Sequence, residues 1–355
     1  MGCASCNKQD LKVEEKNEMK DGNIEGTNNE NLTNKELDIE NNVEEVNNNT
    51  GLRETLDILR GAPSSKKNIN QENNNKNESQ YKEIPTNKFK EEEYDEFTND
   101  YPQLSDGVKV EKRKPQENIE DNTQYYGEWD VEKNVRHGRG IQIWPDGHKY
   151  IGYWENDKAC GKGKLFLSDG DIYEGEWSND KQNGYGTFTH KNGTKYEGNW
   201  KDDKQEGNGK ETWNDGSIFE GEYKDGKKNG KGTFRWADNS YYVGDFKDNN
   251  IDGTGTYYFS DNRKYTGTWA NNKLDGRGVF IWPDGRKYDG EYKNDKKEGY
   301  GIFEWPNGKK YRGNWKNGKQ NGEGEFYFPS EQKWKRGIWK EGKRERWIEN
   351  EPTLN

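Results

Sequence analysis

From residue 125 onward, a polar background is broken at fixed intervals by the pattern aromatic-x-Gly-x-aromatic. The copies are Tyr125–Gly127–Trp129, Tyr150–Gly152–Trp154, Tyr173–Gly175–Trp177, Tyr196–Gly198–Trp200 and Phe219–Gly221–Tyr223, then Tyr242–Gly244–Phe246, Tyr265–Gly267–Trp269, Tyr288–Gly290–Tyr292 and Tyr311–Gly313–Trp315. A tenth, degenerate copy ends in Gly337 and Trp339, and from Gly152 to Gly313 the step is 23 residues every time. A second signature, Gly-x-Gly, keeps the same period from Gly138/Gly140 to Gly322/Gly324. Six residues after its first glycine stand aromatic residues such as Trp213, Trp236, Trp282 and Trp305. Both signatures alternate with period two, so each predicts a β-strand with its rings on one face. Asp146-Gly147, Asp169-Gly170, Asn192-Gly193, Asp215-Gly216, Asp284-Gly285 and Asn307-Gly308 lie between them and predict hairpin turns. Asp238-Asn239 and Asp261-Asn262 put asparagine, which also tolerates positive φ, in the glycine position.

One such hairpin cannot bury an aromatic face alone, whereas a stack can. The prediction is an all-β, elongated, single-layer antiparallel β-hairpin solenoid of about nine to ten 23-residue units over 122–340. The combined pattern resembles the MORN repeat (membrane occupation and recognition nexus), over roughly 125–340. That resemblance implies a grooved aromatic face, built here by Tyr150, Trp154, Tyr173, Trp177, Tyr196, Trp200, Trp213, Trp236, Tyr265, Trp269, Trp282, Trp305, Tyr311 and Trp315. It also implies a scaffold role like that of junctional, ciliary and cytoskeletal arrays, with protein partners on the aromatic face and self-association as a further expectation. Gln142, Leu167, His190 and Glu211 stand where the pattern has rings, so the aromatic stripe is expected to be interrupted there.

Composition divides the chain near residue 121. All 14 Trp and 37 of the 43 Gly follow it, and residues 1–121 carry 17 Lys/Arg against 28 Asp/Glu. The remainder has 40 basic and 39 acidic residues, so the formal charge of −10 belongs to the amino-terminal part. Residues 1–121 read as a disordered Asn/Glu/Lys-rich tail, and 341–355 as a carboxy-terminal tail. Two patches interrupt the first tail. Leu52, Leu56 and Leu59 have helical spacing, and Phe89, Tyr94, Phe97, Tyr101 and Leu104 lie among acidic residues. The second patch, 89–104, is expected either to fold back and cap the exposed edge of the first hairpins or to serve as a tether. The near-neutral array gives no footprint for nucleic acid. No run approaches the ~20 apolar residues of a membrane span, and the long Val/Ile/Leu strands of a doubly wound enzyme are missing.

The amino terminus, Met1-Gly2-Cys3-Ala4-Ser5-Cys6, adds a different chemistry. Removal of Met1 exposes Gly2, the acceptor for N-myristoylation, and Cys3 and Cys6 are placed for S-acylation, although position 6 departs from the usual Ser/Thr. One acyl chain binds a bilayer weakly; two or three hold it. Three cysteines, unpaired by spacing and without a secretory signal, point to a reducing cytosolic setting. The expected location is therefore cytoplasmic, on the inner face of a plasma, cortical or ciliary membrane.

Catalytic constellations are scarce. His137, His148 and His190 occupy unrelated repeat positions, and Gly221 to Lys227 and Gly313 to Lys319 copy a phosphate loop without its Ser/Thr or helix. Asp248–Gly253 begins like a calcium loop, but Phe259 stands where a closing acid is needed. No enzyme, metal, cofactor or small-molecule substrate is expected. The leading expectation is a lipid-anchored scaffold linking a membrane's cytoplasmic face to cytoskeletal or other protein partners. The alternative is a phosphoinositide- or anionic-lipid-binding module acting through the array.

Overall fold

The computed structural model describes residues 89–95, 108–117 and 122–348. They fall into two compact units dividing between Asn229 and Gly230. The first contains α1 (Glu91–Asp95), β1 (Val110–Glu117), β2 (Gln124–Asp130), β3 (Val135–Ile143), β4 (Lys149–Glu155), β5 (Lys158–Phe166), β6 (Ile172–Ser178), β7 (Lys181–Thr189), β8 (Lys195–Lys201), β9 (Lys204–Thr212) and β10 (Ile218–Lys224). β11 (Lys227–Arg235) begins there and ends in the second unit. The second unit continues with β12 (Tyr241–Lys247), β13 (Asn250–Tyr258), β14 (Lys264–Ala270), β15 (Lys273–Ile281), β16 (Lys287–Lys293), β17 (Lys296–Glu304), β18 (Lys310–Lys316), β19 (Lys319–Phe328), β20 (Lys333–Lys340) and β21 (Lys343–Trp347). Within each unit every strand pairs antiparallel with its predecessor, for example β4 with β5 and β16 with β17. The all-β hairpin array expected from the spacing is the fold.

Two kinds of turn alternate. At the Asp-Gly class, Asp169 Oδ1 accepts from the Asp171 amide at 3.0 Å while Gly170 takes φ of 99°. Asn239 and Asn262 take positive φ at the same place, which their short polar side chains tolerate. The second kind was not read from the sequence. It consists of two successive left-handed residues, as in Asn156-Asp157, Asn179-Asp180, Asn271-Asn272 and Asn294-Asp295, which is the two-residue hairpin geometry matching strand twist.

These turns also clip one repeat to the one before. The Asp295 amide donates to the Leu274 carbonyl at 3.0 Å, and Asp295 Oδ1 accepts from the Leu274 amide at 2.7 Å. Asp180 does the same to Ala159, and Asp203 to Gln182. Each of these three turns thereby satisfies a backbone pair 21 residues back, which locks register between hairpins.

Three expectations are corrected. Residues 89–95 and 108–117 are structured against the array, because Phe89 and Tyr94 pack on an apolar patch of Ile141, Ile143 and Ile151. The described part of the second patch, 89–95, folds back onto the first hairpins as one alternative had it, but the edge of β2 is paired by β1: Glu111 pairs with Trp129 and Arg113 with Gly127, and the ladder shifts register at Pro115, which has no amide to donate. Finally, the array runs past 340. β21 pairs with β20, and the Trp347 ring lies 5.9 Å from Trp339 and 5.8 Å from Phe328. Leu52, Leu56, Leu59, Phe97, Tyr101 and Leu104 lie outside the described residues.

Candidate binding surface

The ring-bearing face has two layers of function. The Tyr-x-Gly-x-Trp residues form the inner layer. Tyr150, Trp154, Tyr173, Trp177, Tyr196, Trp200, Tyr265, Trp269, Tyr311 and Trp315 are all buried, none above 7% exposed. Each tyrosine meets the aromatic of its own strand and that of the next repeat edge-on. Tyr150 lies 5.2 Å from both Trp154 and Trp177, and Tyr288 lies 5.2 Å from both Tyr292 and Trp315. Edge-to-face pairs of this kind add ~0.5–1.5 kcal/mol each beyond burial. The tyrosine hydroxyl turns back to a carbonyl three residues on, as Tyr288 to Glu291 at 3.1 Å. Burial lifts the Tyr150, Tyr173 and Tyr288 hydroxyls well above the usual phenol range. Trp177, Trp200 and Trp315 donate Nε1 to the carbonyls of Gly163, Gly186 and Gly301 at 3.1 to 3.2 Å. This layer is core, so it holds the array together and offers little surface.

The second layer is the row that follows Gly-x-Gly. In residues 230–348 it is continuous: Phe234–Trp236 at 4.6 Å, Tyr257–Phe259 at 4.5 Å, Phe280–Trp282 at 4.4 Å, Phe303–Trp305 at 4.6 Å and Phe326–Phe328 at 4.9 Å. Contacts at 5.0 to 5.6 Å join each pair to the next. Trp236, Phe259, Trp305 and Phe328 are half-buried and Trp282 is buried. Cations sit over these rings, Arg263 on Phe259 at 4.7 Å and Lys335 on Phe328 at 4.8 Å. Lys297 lies within 4.9 to 5.3 Å of Trp282, Tyr288, Phe303 and Trp315. Among the described residues no carboxylate pairs with it, and burial pulls its amine down to about 8.

In residues 122–229 the row is interrupted where the sequence lacks rings, and polar groups fill the places. Glu211 Oε2 accepts from Lys228 at 2.7 Å and from Tyr223 Oη at 3.0 Å, with Glu211 and Lys228 both buried. Gln142 accepts from Arg136. His190 Nδ1 lies 2.7 Å from Asp171, which burial pushes upward but the bonds from His190 and the Lys191 amide hold below the usual carboxylate range. Leu167 is buried, and Trp213 remains half-buried beneath Lys228 at 4.9 Å. Cys160 is half-buried with its thiol pushed up to about 12 by burial. Among the described residues no three His, Cys, Asp or Glu side chains converge as a metal site, and no helix is long and apolar enough to cross a membrane. Gly2, Cys3 and Cys6 lie outside the described residues.

The family profile described as the MORN repeat matches nine segments, 125–149, 150–172, 173–195, 196–218, 219–241, 242–262, 265–285, 288–310 and 311–332. The chain belongs to the MORN repeat family. The MORN segments cover more than half of the sequence, and β20 and β21 add a tenth hairpin outside the matched range. Among curated proteins, none matches this chain. Among solved structures, the TCP10 domain of Danio rerio CPAP, in complex with a peptide of Danio rerio STIL, is similar at 10% identity, covering 68% of this chain and all of that one, with a TM-score of 0.38. The SAS-4 (dCPAP) TCP domain of Drosophila melanogaster, in complex with a proline-rich motif of Ana2, is 14% identical over 61% of this chain and 97% of that one, with a TM-score of 0.26.

Proposed function

We propose that this MORN array is a non-enzymatic scaffold that binds a protein partner through the second aromatic layer of residues 230–348, and that acyl chains on Gly2, Cys3 and Cys6 hold it to the cytoplasmic face of a membrane. The observation that carries the first part is the half-buried row Trp236, Phe259, Trp305 and Phe328 with cations against its rings. Rigid aromatics joined to arginine are what protein interfaces concentrate at their centres. The second part rests on two of three cysteines lying within four residues of Gly2.

Both parts are tested in one set of cells expressing the tagged full chain. Gly2→Ala and Cys3→Ser/Cys6→Ser are expected to abolish peripheral signal, and unchanged distribution overturns the anchor. Trp236→Ala/Trp305→Ala is expected to leave the signal peripheral while proximity labelling loses the proteins enriched around the wild type. An unchanged labelling profile overturns the aromatic row as the partner face.

One observation keeps the lipid reading in view. Residues 122–229 carry 16 basic and 20 acidic side chains, whereas 230–348 carry 24 and 17, so the near-neutral balance of the whole array hides a basic half. Salt-sensitive sedimentation of the unacylated full chain with phosphoinositide vesicles supports that reading. Failure to sediment removes it.

A further inference from the structure

The outer face of the first hairpins differs from that of every later one in the first unit. One and three residues after Gly140 stand Ile141 and Ile143; the same places hold Thr187 and Thr189, then Lys210 and Thr212. After Tyr150 and Gly152 stand Ile151 and Tyr153, where later strands carry Glu174 and Glu176, then Glu220 and Glu222. On those later strands the same places carry ion pairs such as Lys210–Glu220 at 2.9 Å. An apolar patch in this position needs a cover, since water contact with it is unfavourable.

Residues 89–95 supply the cover. Tyr94 is 3% exposed, its ring 5.5 Å from Tyr126, and Phe89 lies 5.7 Å from the same ring. Charge fits as well as shape. Glu93 pairs with the buried Lys149, and Lys112 and Arg139 lie 4.0 and 5.0 Å from the Tyr94 ring. Yet α1 has five residues, too few to persist without the sheet. Ordering this segment costs backbone and side-chain entropy that works against the gain from burying two aromatics. Twelve residues separate Asp95 from Val108, so the segment stays covalently attached to the sheet it covers and competes intramolecularly with any free ligand.

We propose that the outer face of β2 to β5 is a peptide-binding surface, and that Phe89–Asp95 is its intramolecular competitor. Its ligand is a short acidic segment with two aromatics five positions apart, a glutamate directly before the second, and a helical turn around that second aromatic. The bound self-segment displays that chemistry. The surface is built by β2 to β5, whereas the aromatic row belongs to residues 230–348; the proposal does not rest on the row's role, so the two succeed or fail separately.

The test uses the unacylated full chain and a fluorescent peptide of residues 86–97, read by anisotropy. Phe89→Ala/Tyr94→Ala protein is expected to bind the peptide at least tenfold more tightly than wild type, because the tethered competitor is lost. Adding Lys149→Glu is expected to abolish binding. Equal affinity for wild type and the double variant, or no binding to the double variant up to about 1 mM, overturns the proposal. Hydrogen exchange of the wild-type chain gives a second reading that needs no variant. Amides of 89–95 are expected to exchange at least a hundredfold faster than those of β3 and β4, and equal protection, the mark of a static cap, also overturns it.

Discussion

Gly301→Ala isolates the contact on which the inner layer depends. Gly301 sits in β17 opposite Gly313, and its φ is not in the left-handed region, so alanine meets no backbone penalty there. A Cβ would lie 2.6 Å from Cε2 and Cζ of Tyr288, which is fully buried. Carbon contacts settle near 3.5–4.0 Å, so the ring must retreat by about 1 Å. It is held by Tyr292 and Trp315 edge-on and by its bond to the Glu291 carbonyl, and Trp315 Nε1 is bonded to Gly301 itself. Overpacking costs ~1–3 kcal/mol, and weakening two ring pairs and one hydrogen bond adds ~1–2 kcal/mol, for a total of ~2–5 kcal/mol. Because repeats are stabilised mainly by neighbours, the assay is site-resolved hydrogen exchange. Amides of β16 to β18 should exchange at least ~30-fold faster, the equivalent of ~2 kcal/mol, with smaller effects at β12. In a Tyr288→Ala background the same glycine change should cost less than ~0.5 kcal/mol, since the obstructing ring is gone. An acceleration below fivefold, or an equal cost in both backgrounds, refutes the packing argument.

Two further outcomes follow from the polar groups of the ring-bearing face. Glu211→Gln removes the buried carboxylate that accepts from Lys228 while leaving the ammonium charged, and should cost ~3–5 kcal/mol by denaturant unfolding, whereas Glu211→Phe/Lys228→Leu should recover wild-type stability or exceed it; a cost below ~1 kcal/mol for the single change would sink the buried-pair reading. Lys297, with its amine at about 8 in the folded chain and near 10.5 when unfolded, binds fewer protons folded than unfolded between those values. Stability should therefore rise with pH across roughly pH 8 to 10, by ~1–3 kcal/mol once partial solvent access and the ring contacts are allowed for. Thermal melts should show this slope in the wild type and lose it in Lys297→Met, and identical slopes would contradict the assignment.

Much of this architecture is local and so was written in the chain. Tyr-x-Gly-x-Trp at 23-residue spacing specifies a strand, a face and a neighbour at once, because period-two alternation fixes which side chains meet and glycine leaves room for one ring. The interruptions at Gln142, Leu167, His190 and Glu211 were legible for the same reason. The two-residue turns were equally present as Asn-Asp and Asn-Asn pairs, but their second task, satisfying an amide 21 residues back, is a contact between hairpins that no dipeptide announces. The same is true of the division between rings that are core and rings that face outward. Trp154 and Trp236 belong to different signatures, but both signatures predict rings on one face of a strand, and only packing buries Trp154 at 1% exposure and leaves Trp236 half-buried. For the amino-terminal strap the chain offered two alternatives, fold-back and tether, without choosing between them. Phe89 and Tyr94 carry too little apolar surface to predict order by themselves, and Ile141, Ile143 and Ile151 read as ordinary strand residues until the sheet turns them away from the ring-bearing side. Spacing along the chain determined the hairpins; which faces need covering, and what covers them, depended on distant residues meeting across a finished sheet.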